Sequence, residues 1–361
     1  MDQFIFNLEM IVRSWNQTIG VNRKMRKKIQ FYISGYQHLA RRSVQIIFLM
    51  VVINIGIRFY LFVSQIEAGV IPDFERPPGV EAFLPISALV SLKHFLFTGR
   101  INEVHPSALV LFLIICLTAL IAKKGFCGWI CPIGLLSDFL GKIHVFIFNK
   151  NLSIPFRLDL ILRSVKYILA GFFIWIIIFN MPMISVEQFI QSSYNRFADI
   201  AMLRFFTRIS GTAQMVILVL FLLSVVIRNF WCRYLCPYGA ILGIISFVSL
   251  GKIKRNSANC TECGKCERTC PAIIKIRQKS LIHSSECTAC MTCVQNCPEK
   301  NAIGFFFLTH KVPVNQVLLA LTLILIFTLG ISMARISGNW QNKVSKIEYL
   351  HYGMQTARQG R

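Results

Sequence analysis

The chain has 361 residues, 55% of them hydrophobic, and a mean hydropathy of +0.57; both values are high for a water-soluble domain. Charged residues make up 15% yet leave a net charge of +23, so the charges are few, basic and bunched. This argues against a nucleic-acid binder, because no basic face interleaved with stacking aromatics occurs away from the apolar stretches, and it suits a membrane protein with basic segments beside its spans.

Residues 1–43 carry eight Lys/Arg, including the run Arg23-Lys24-Met25-Arg26-Lys27-Lys28. They read as a juxtamembrane segment held by anionic headgroups. No apolar core followed by a small-residue cleavage site marks a signal peptide there. Five stretches then approach the ~20 apolar residues that a bilayer core requires: 44–65, 106–122, 165–183, 212–228 and 312–334. The first contains Asn54 and Arg58, and Arg58 is expected to face the bundle, since a charge in lipid is costly. Residues 82–99 are apolar but include Pro85, Lys93 and His94, and they read as an amphipathic helix on the outer interface.

Basic residues set the orientation. Segments 1–43, 123–166 and 228–311 hold 27 Lys/Arg, against 11 in 66–105, 184–212 and 335–361. The first set is therefore expected in the cytoplasm. The expected fold is a membrane α-helical bundle of about five transmembrane helices with an inserted α+β ferredoxin-like module. Its parts are a basic N-terminal segment (1–43), a four-span membrane domain (44–250), the module (251–310), a fifth span (311–334) and a C-terminal tail (335–361).

Twelve of the thirteen cysteines fall into four tight groups within the cytoplasmic set, where thiols stay reduced. Cys116 stands alone in the second stretch and reads as a small buried apolar side chain. Cys260, Cys263, Cys266 and Cys270 precede Pro271, and Cys287, Cys290, Cys293 and Cys297 precede Pro298. Both runs follow C-x2-C-x2-C-x3-C-P, in which three thiolates of a tight loop reach one cubane and the fourth reaches the other. The spacing thus assigns Cys260, Cys263, Cys266 and Cys297 to one 4Fe-4S cluster, and Cys287, Cys290, Cys293 and Cys270 to a second. Zinc usually takes two separated pairs of ligands and fits this pattern less well. Lys265, Arg268, Lys275, Arg277 and Lys279 outnumber the acids around the runs, favouring a reduced cluster and an acidic partner.

A second pattern is a repeat. Phe126-Cys127-Gly128-Trp129-Ile130-Cys131-Pro132-Ile133-Gly134 recurs as Trp231-Cys232-Arg233-Tyr234-Leu235-Cys236-Pro237-Tyr238-Gly239, each copy after an apolar stretch. This reads as duplication of a span-plus-motif unit, expected to bring both pairs together near the ferredoxin module. Three readings of Cys127, Cys131, Cys232 and Cys236 stay open: redox-active dithiols, ligands of a metal or neighbours of the clusters, and close-packing elements. None of the five stretches contains a His, so haem is not expected. His94 and His105 lie in the outer segment, where they are surface or capping residues or else accept a proton from a quinol.

The stretches FCGWICPIGLLSD and CRYLCPYGA, followed by the double C-x2-C-x2-C-x3-C-P module, resemble the NapH/NosR-type polyferredoxins over residues 44–334. These include the quinol-dehydrogenase membrane component of periplasmic nitrate reductase systems and the membrane part of the nitrous oxide reductase regulator. The resemblance implies a bacterial inner-membrane protein passing electrons between the quinone pool, its clusters and a partner redox protein, whether a cytochrome, a ferredoxin-like protein or a reductase subunit. It departs from the regulators in having no large flavin-binding domain, so no flavin is expected. The competing class is an assembly or regulatory factor that uses its clusters and C-x3-C-P thiols to reduce a metal or disulfide while a respiratory enzyme matures. A transporter fits least, since no Asp or Glu lies in any of the five stretches.

Overall fold

The structure, a computed structural model, describes residues 23–148, 154–299, 301–307 and 313–359. The start of the basic N-terminal segment, residues 1–22, lies outside them, as does the beginning of the expected fifth span. The first helix, α1 (Arg23–Glu67), is 45 residues long. After a 3-10 turn at Pro78–Phe83 come α2 (Pro85–Thr98) and α3 (Pro106–Ala122), each opened by a proline whose missing N–H costs a helix start nothing. A short α4 (Gly125–Trp129) and α5 (Pro132–Phe148) follow. Then α6 (Phe156–Ile174) widens into a π-helical turn, Trp175–Asn180. Next are α7 (Met183–Gln191), α8 (Ser193–Arg196), α9 (Ala198–Thr207), α10 (Gly211–Val226), a π-helical turn at Trp231–Leu235, and α11 (Pro237–Ile245).

Three described helical segments are long and apolar enough to cross a bilayer: Leu39–Glu67, Arg157–Asn180 and Gln316–Ile336. A fourth is formed if α9 and α10, bent by 79°, count as one broken span. The difference from the expected five lies in the second and fourth stretches. Helix α3 has 17 residues and α10 has 16, short of the ~20 that cross at a right angle. Helix α3 is the centre of the bundle, with residues such as Leu109, Phe112, Ile115 and Ala119 all buried. Leu and Ile side chains of α1, α6, α10 and α14 (Gln316–Ile336) instead point outward, among them Ile46, Ile168, Leu218 and Leu325. One further sequence expectation is corrected. Arg58 is exposed and lies over the Phe74 ring, 5.8 Å from its centroid, rather than facing the bundle. Helix α2 buries polar and apolar residues alike, Ser87, Ala88, Leu89, Val90, Ser91 and Lys93, and exposes Leu96 and Phe97 at its end. The Lys93 ammonium donates to the carbonyls of Ile177 (2.9 Å), Ile178 (2.8 Å) and Met181, which the end of the π-helical turn leaves without intrahelical donors.

The module between α11 and α14 has little structure of its own. Strand β1 (Gly251–Arg255) pairs antiparallel with β2 (Ile303–Phe307), from Gly251 opposite Phe307 to Arg255 opposite Ile303. Two single-turn helices, α12 (Lys265–Arg268) and α13 (Thr292–Gln295), carry part of the cysteine runs. The sheet sits against the end of α3: the Leu250 N–H donates to the Leu120 carbonyl at 2.8 Å, and a Cβ on Gly251 would lie 2.8 Å from the Ile121 carbonyl oxygen.

The other end of α3, about 25 Å away along its axis, carries a buried charge network. Arg76 pairs with Asp199 and, at 2.8 Å, with Glu81. The Glu81 carboxylate also accepts the Ser107 hydroxyl and the Ala108 N–H at 2.9 Å, and faces His105 Nδ1 at 3.3 Å. The Tyr349 hydroxyl reaches Asp199 at 3.5 Å from the last helix, α15 (Lys346–Gln359), so the expected tail is a packed element. Removing one member strands a buried charge. Arg76→Met is therefore expected to lower stability by about 3–5 kcal/mol, read as a lower melting temperature in detergent. An unchanged melting temperature would show that the network is not holding this end together.

Candidate metal centre

The two C-x2-C-x2-C-x3-C-P runs adopt one backbone form. The second residue after the first cysteine is left-handed in both, Glu262 at φ 54° and Ala289 at φ 48°. So is the first residue after the second cysteine, Gly264 at φ 70° and Met291 at φ 56°. Only one of these four is Gly, so the loops hold conformations that L-residues visit at some cost. Such turns wrap the chain around a point and turn successive thiols towards it.

The eight cysteines fall into two groups. Cys270, Cys287, Cys290 and Cys293 line one apolar pocket with Ile253, Ile276 and Ile282, and they lie within electrostatic reach of one another. Cys266 is within reach of Cys260 and Cys297. Cys263 is exposed. Cys270, the fourth cysteine of the first run, thus stands with the first three of the second, and Cys297 stands near Cys266. The groups differ in environment. Burial pushes the Cys270 thiol up to about 12 and raises Cys287 and Cys293 as well. Cys260 is held below its ordinary value, first by the Glu262 N–H and then by Arg255. Among the described residues no three His, Cys, Asp or Glu side chains converge as a single metal ion requires. The ligand spacing of the two runs is that of a two-cluster ferredoxin rather than the separated pairs usual for zinc.

The two C-x3-C-P copies meet, and they grip the inner group. In each copy the second cysteine precedes the proline that opens a helix, and in the second it caps that helix: the Gly239 N–H donates to Cys236 Sγ at 3.4 Å. The glycine three residues on packs against the carbonyl of the first cysteine. A Cβ on Gly134 would collide with the Cys127 oxygen, and one on Gly239 would lie 3.2 Å from that of Cys232. From the first copy, the Lys124 N–H donates to the Cys287 carbonyl (3.2 Å) and Trp129 Nε1 to that of Ala289 (3.0 Å). From the second, Asn229 Nδ2 donates to the Pro271 carbonyl (3.1 Å) and Arg233 Nη1 to that of Ala272 (2.5 Å). Asp159 holds Arg233 in place through two hydrogen bonds, at 2.9 and 3.0 Å, and accepts the Tyr234 hydroxyl at 2.6 Å.

Above this junction lies a cavity of about 540 Å³, lined by Cys127, Cys131, Cys232 and Cys236, by Lys124 and Glu286, and by apolar side chains of α1 and α14 such as Val52 and Phe327. Burial raises all four thiols, Cys131 and Cys232 to about 12. Glu286 is buried between the ammonium groups of Lys166 (2.6 Å) and Lys124 (3.1 Å). Burial alone would raise its carboxyl; the two cations outweigh that and hold it at about 2. The spacing of Cys127, Cys131, Cys232 and Cys236 points to their meeting, whereas Lys124, Asp159, Lys166 and Glu286 carry no motif that would have marked them. His105 is buried, its ring nitrogen Nε2 2.6 Å from the Asn195 carbonyl, and His94 is half-buried beside the Arg100 carbonyl. Neither lines the cavity.

Two family models match the chain. One, a 4Fe-4S binding domain, matches residues 104–155 and again 211–256, so each match contains one C-x3-C-P copy. The other, a 4Fe-4S dicluster domain, matches residues 252–298. With the apolar helices, these define the class: an iron–sulfur electron-transport protein of ferredoxin type, built on membrane helices. A putative electron transport protein of Escherichia coli, YccM, is 41% identical over 65% of this chain and 66% of its own length. An uncharacterized protein of Methanocaldococcus jannaschii is 30% identical over 52% of this chain and 74% of its own. The ferredoxin-type protein NapH of Haemophilus influenzae is 30% identical over 46% and 55%. The chain belongs to the NapH/NosR-type family of ferredoxin-type electron-transport proteins. No solved structure matches it.

Lys124→Met leaves Glu286 one cation short and is expected to cost about 3–5 kcal/mol, with part recovered in Lys124→Met/Glu286→Gln. Because the carboxyl is depressed from 4.5 to about 2, the pair's contribution is complete above about pH 4.5 and fades as pH falls towards 2. Denaturation in detergent across that window measures both effects. A variant as stable as the parent throughout would remove the ion pair from the account.

Proposed function

We propose that this protein carries electrons between the quinone pool and a partner redox protein through two 4Fe-4S clusters, at the cytoplasmic face of a bacterial inner membrane. The observation that carries the reading is the clamp of the inner cysteine loops, 270–272 and 287–289, onto the paired C-x3-C-P helices beneath an apolar cavity. In this reading Cys260, Cys263, Cys266 and Cys297 hold one cluster, and Cys287, Cys290, Cys293 and Cys270 hold the other. A bound 4Fe-4S cluster supplies a one-electron store. The chain keeps the inner store dry in a pocket of Ile side chains and fixes it against the membrane helices. It leaves the outer store beside exposed Cys263, with Lys265, Arg268 and Arg277 to meet an acidic partner. The cavity has the size and apolar walls of a site for a small hydrophobic ring, which suits a quinone.

Purified anaerobically, the protein is expected to contain acid-labile sulfide, with about eight iron bound by the module. In EPR of reduced samples, Cys260→Ala and Cys297→Ala should lose the same signal and Cys270→Ala the other. A zinc-rich, sulfide-free preparation would reject the reading. Matching losses in Cys297→Ala and Cys287→Ala would reject the crossed ligation alone.

Orientation has its own test. The excess of basic residues in segments 1–43, 123–166 and 228–311 supports a cytoplasmic module. A reporter fused after Arg255 should be active only as a cytoplasmic marker, and activity of an exported marker at that point would reverse the topology.

A further inference from the structure

We propose that a basic cavity at the edge of the module holds the phosphate of an anionic phospholipid headgroup, and that the lipid so held joins the module to the membrane helices. The inference is separate from the quinone and from the number of clusters; it needs only that the apolar helices lie in a bilayer.

The cavity, of about 410 Å³, is walled by Arg41 and Arg42 of α1, by Asp138 and Lys142 of α5, by Arg228 just beyond α10, and by the module at α13. Four cations thus face one carboxylate, and that carboxylate is committed. Asp138 pairs with Arg41 and accepts from Gln45 Nε2 at 3.2 Å, while Arg41 Nε is fixed by the Gly128 carbonyl at 2.9 Å. Lys142 lies within electrostatic reach of both Arg41 and Arg42. Neither Arg42 nor Lys142 forms an ion pair among the described residues. Arg228 is brought in across α5: a Cβ on Gly141 would lie 3.1 Å from its Nε and 3.2 Å from its Cγ. Cations gathered in this way repel one another, and an anion between them removes the repulsion. A phosphate suits the set, because guanidinium forks match its oxygens and a lysine adds a point charge.

The position favours a lipid over an acidic protein segment. Arg41 and Arg42 stand at the start of the apolar segment Leu39–Glu67, where headgroups lie. Ile46 and Met50, four and eight residues beyond Arg42 and so on its face of α1, are exposed. Phe139 and Phe146, three residues before Lys142 and four after it, are exposed on the same face of α5. A cation on such an apolar strip is the pattern of a helix lying in the interface, its basic side chain among headgroups and its aromatic ones among acyl chains. The cavity therefore opens where a phosphate and its chains both find partners. Basic pockets between membrane helices are a known setting for anionic headgroups.

The test follows the melting temperature of the anaerobically purified protein in detergent as phosphatidylglycerol, phosphatidylcholine or inorganic phosphate is added. Phosphatidylglycerol is expected to raise it saturably, and neither of the others to do so. In Arg42→Gln/Lys142→Gln the apparent affinity for phosphatidylglycerol should fall about thirtyfold, through the loss of two basic residues at the surface. Arg157→Gln/Arg335→Gln removes the same charge from exposed positions outside the cavity and should keep the affinity. Equal weakening in both variants would mean diffuse attraction, and an equal rise with phosphatidylcholine would mean binding through acyl chains; either overturns the proposal. So does a rise with inorganic phosphate alone, which assigns the cavity to a free anion, or no rise at all, which leaves it to an acidic protein segment. Should Arg42→Gln/Lys142→Gln fail to fold, wild type with a phosphatidylglycerol bearing a photoreactive headgroup decides. Labelling of residues 39–42, 138–142 or 292–296 sustains the proposal, and labelling confined to other segments rejects it.

Discussion

Three parts of the chain meet at one buried ammonium. Lys124 lies two residues before the first C-x3-C-P copy, donates to the Gly239 carbonyl in the second at 3.3 Å, and pairs with Glu286, the residue before Cys287. A charge placed there is tolerable only if every partner is in position. The ammonium therefore couples the packing of the two halves to the docking of the module. Lys166 adds a second cation from α6, which ties that helix to the same carboxylate. The chain places its polar interactions at the ends of α3 and leaves the middle of that helix apolar, with Leu111, Ile114 and Ile115 buried around it.

The module depends on this arrangement because it has so little scaffold. Two five-residue strands and two single-turn helices bury a small core, and a unit of that size is marginal by itself. Its inner loops make up the deficit by giving backbone carbonyls to the membrane helices. Carbonyls are the available acceptors there: the thiolates are committed to metal, and a loop wrapped round a centre cannot pair its own peptide groups as a strand does. Trp129, Asn229, Arg233 and, from α14, Gln316 are side chains that reach them. Among the described residues no membrane-helix side chain is hydrogen-bonded to the outer loops, which is consistent with the greater exposure of Cys263.

Much of this was legible in the sequence, for reasons of spacing. Cysteines at fixed intervals before proline are local patterns, so the two runs and the duplicated motif could be read directly, as could the apolar stretches of α1, α6 and α14. Features set by tertiary packing were hidden. The length of α3 and α10 does not tell a lipid-crossing helix from a central one. The partners of Lys93 on α2 cannot be seen in the sequence, because they are carbonyls of a π-helical turn more than eighty residues later. Glu81, Asp159, Asp199 and Glu286 each stand alone in the sequence, and they acquire meaning only from cations brought to them by other elements. The last helix, α15, gives no periodic signal in the sequence, because its one buried aromatic, Tyr349, stands alone.

The duplicated halves are alike in how they present cysteines and unlike in how they hold the module, and the difference follows from what they hold. The module is not symmetric about the axis that relates the copies: one offers its contacts to the 287–289 loop, the other to 271–272. The equivalent positions 128 and 233 show the consequence. Gly128 has no side chain, and a Cβ there would come within 2.5 Å of the Thr288 oxygen, so the first copy meets its loop backbone to backbone. Arg233 occupies the same place in the second copy, where the loop is farther off, and its guanidinium spans the gap to Ala272 while Asp159 neutralises it. Equivalent positions therefore combine the smallest residue with one of the longest, each fitted to its own distance. Cysteine, proline and glycine repeat because the thiol-presenting turn is the same in both halves. Residues at the interface diverge because the partner is not.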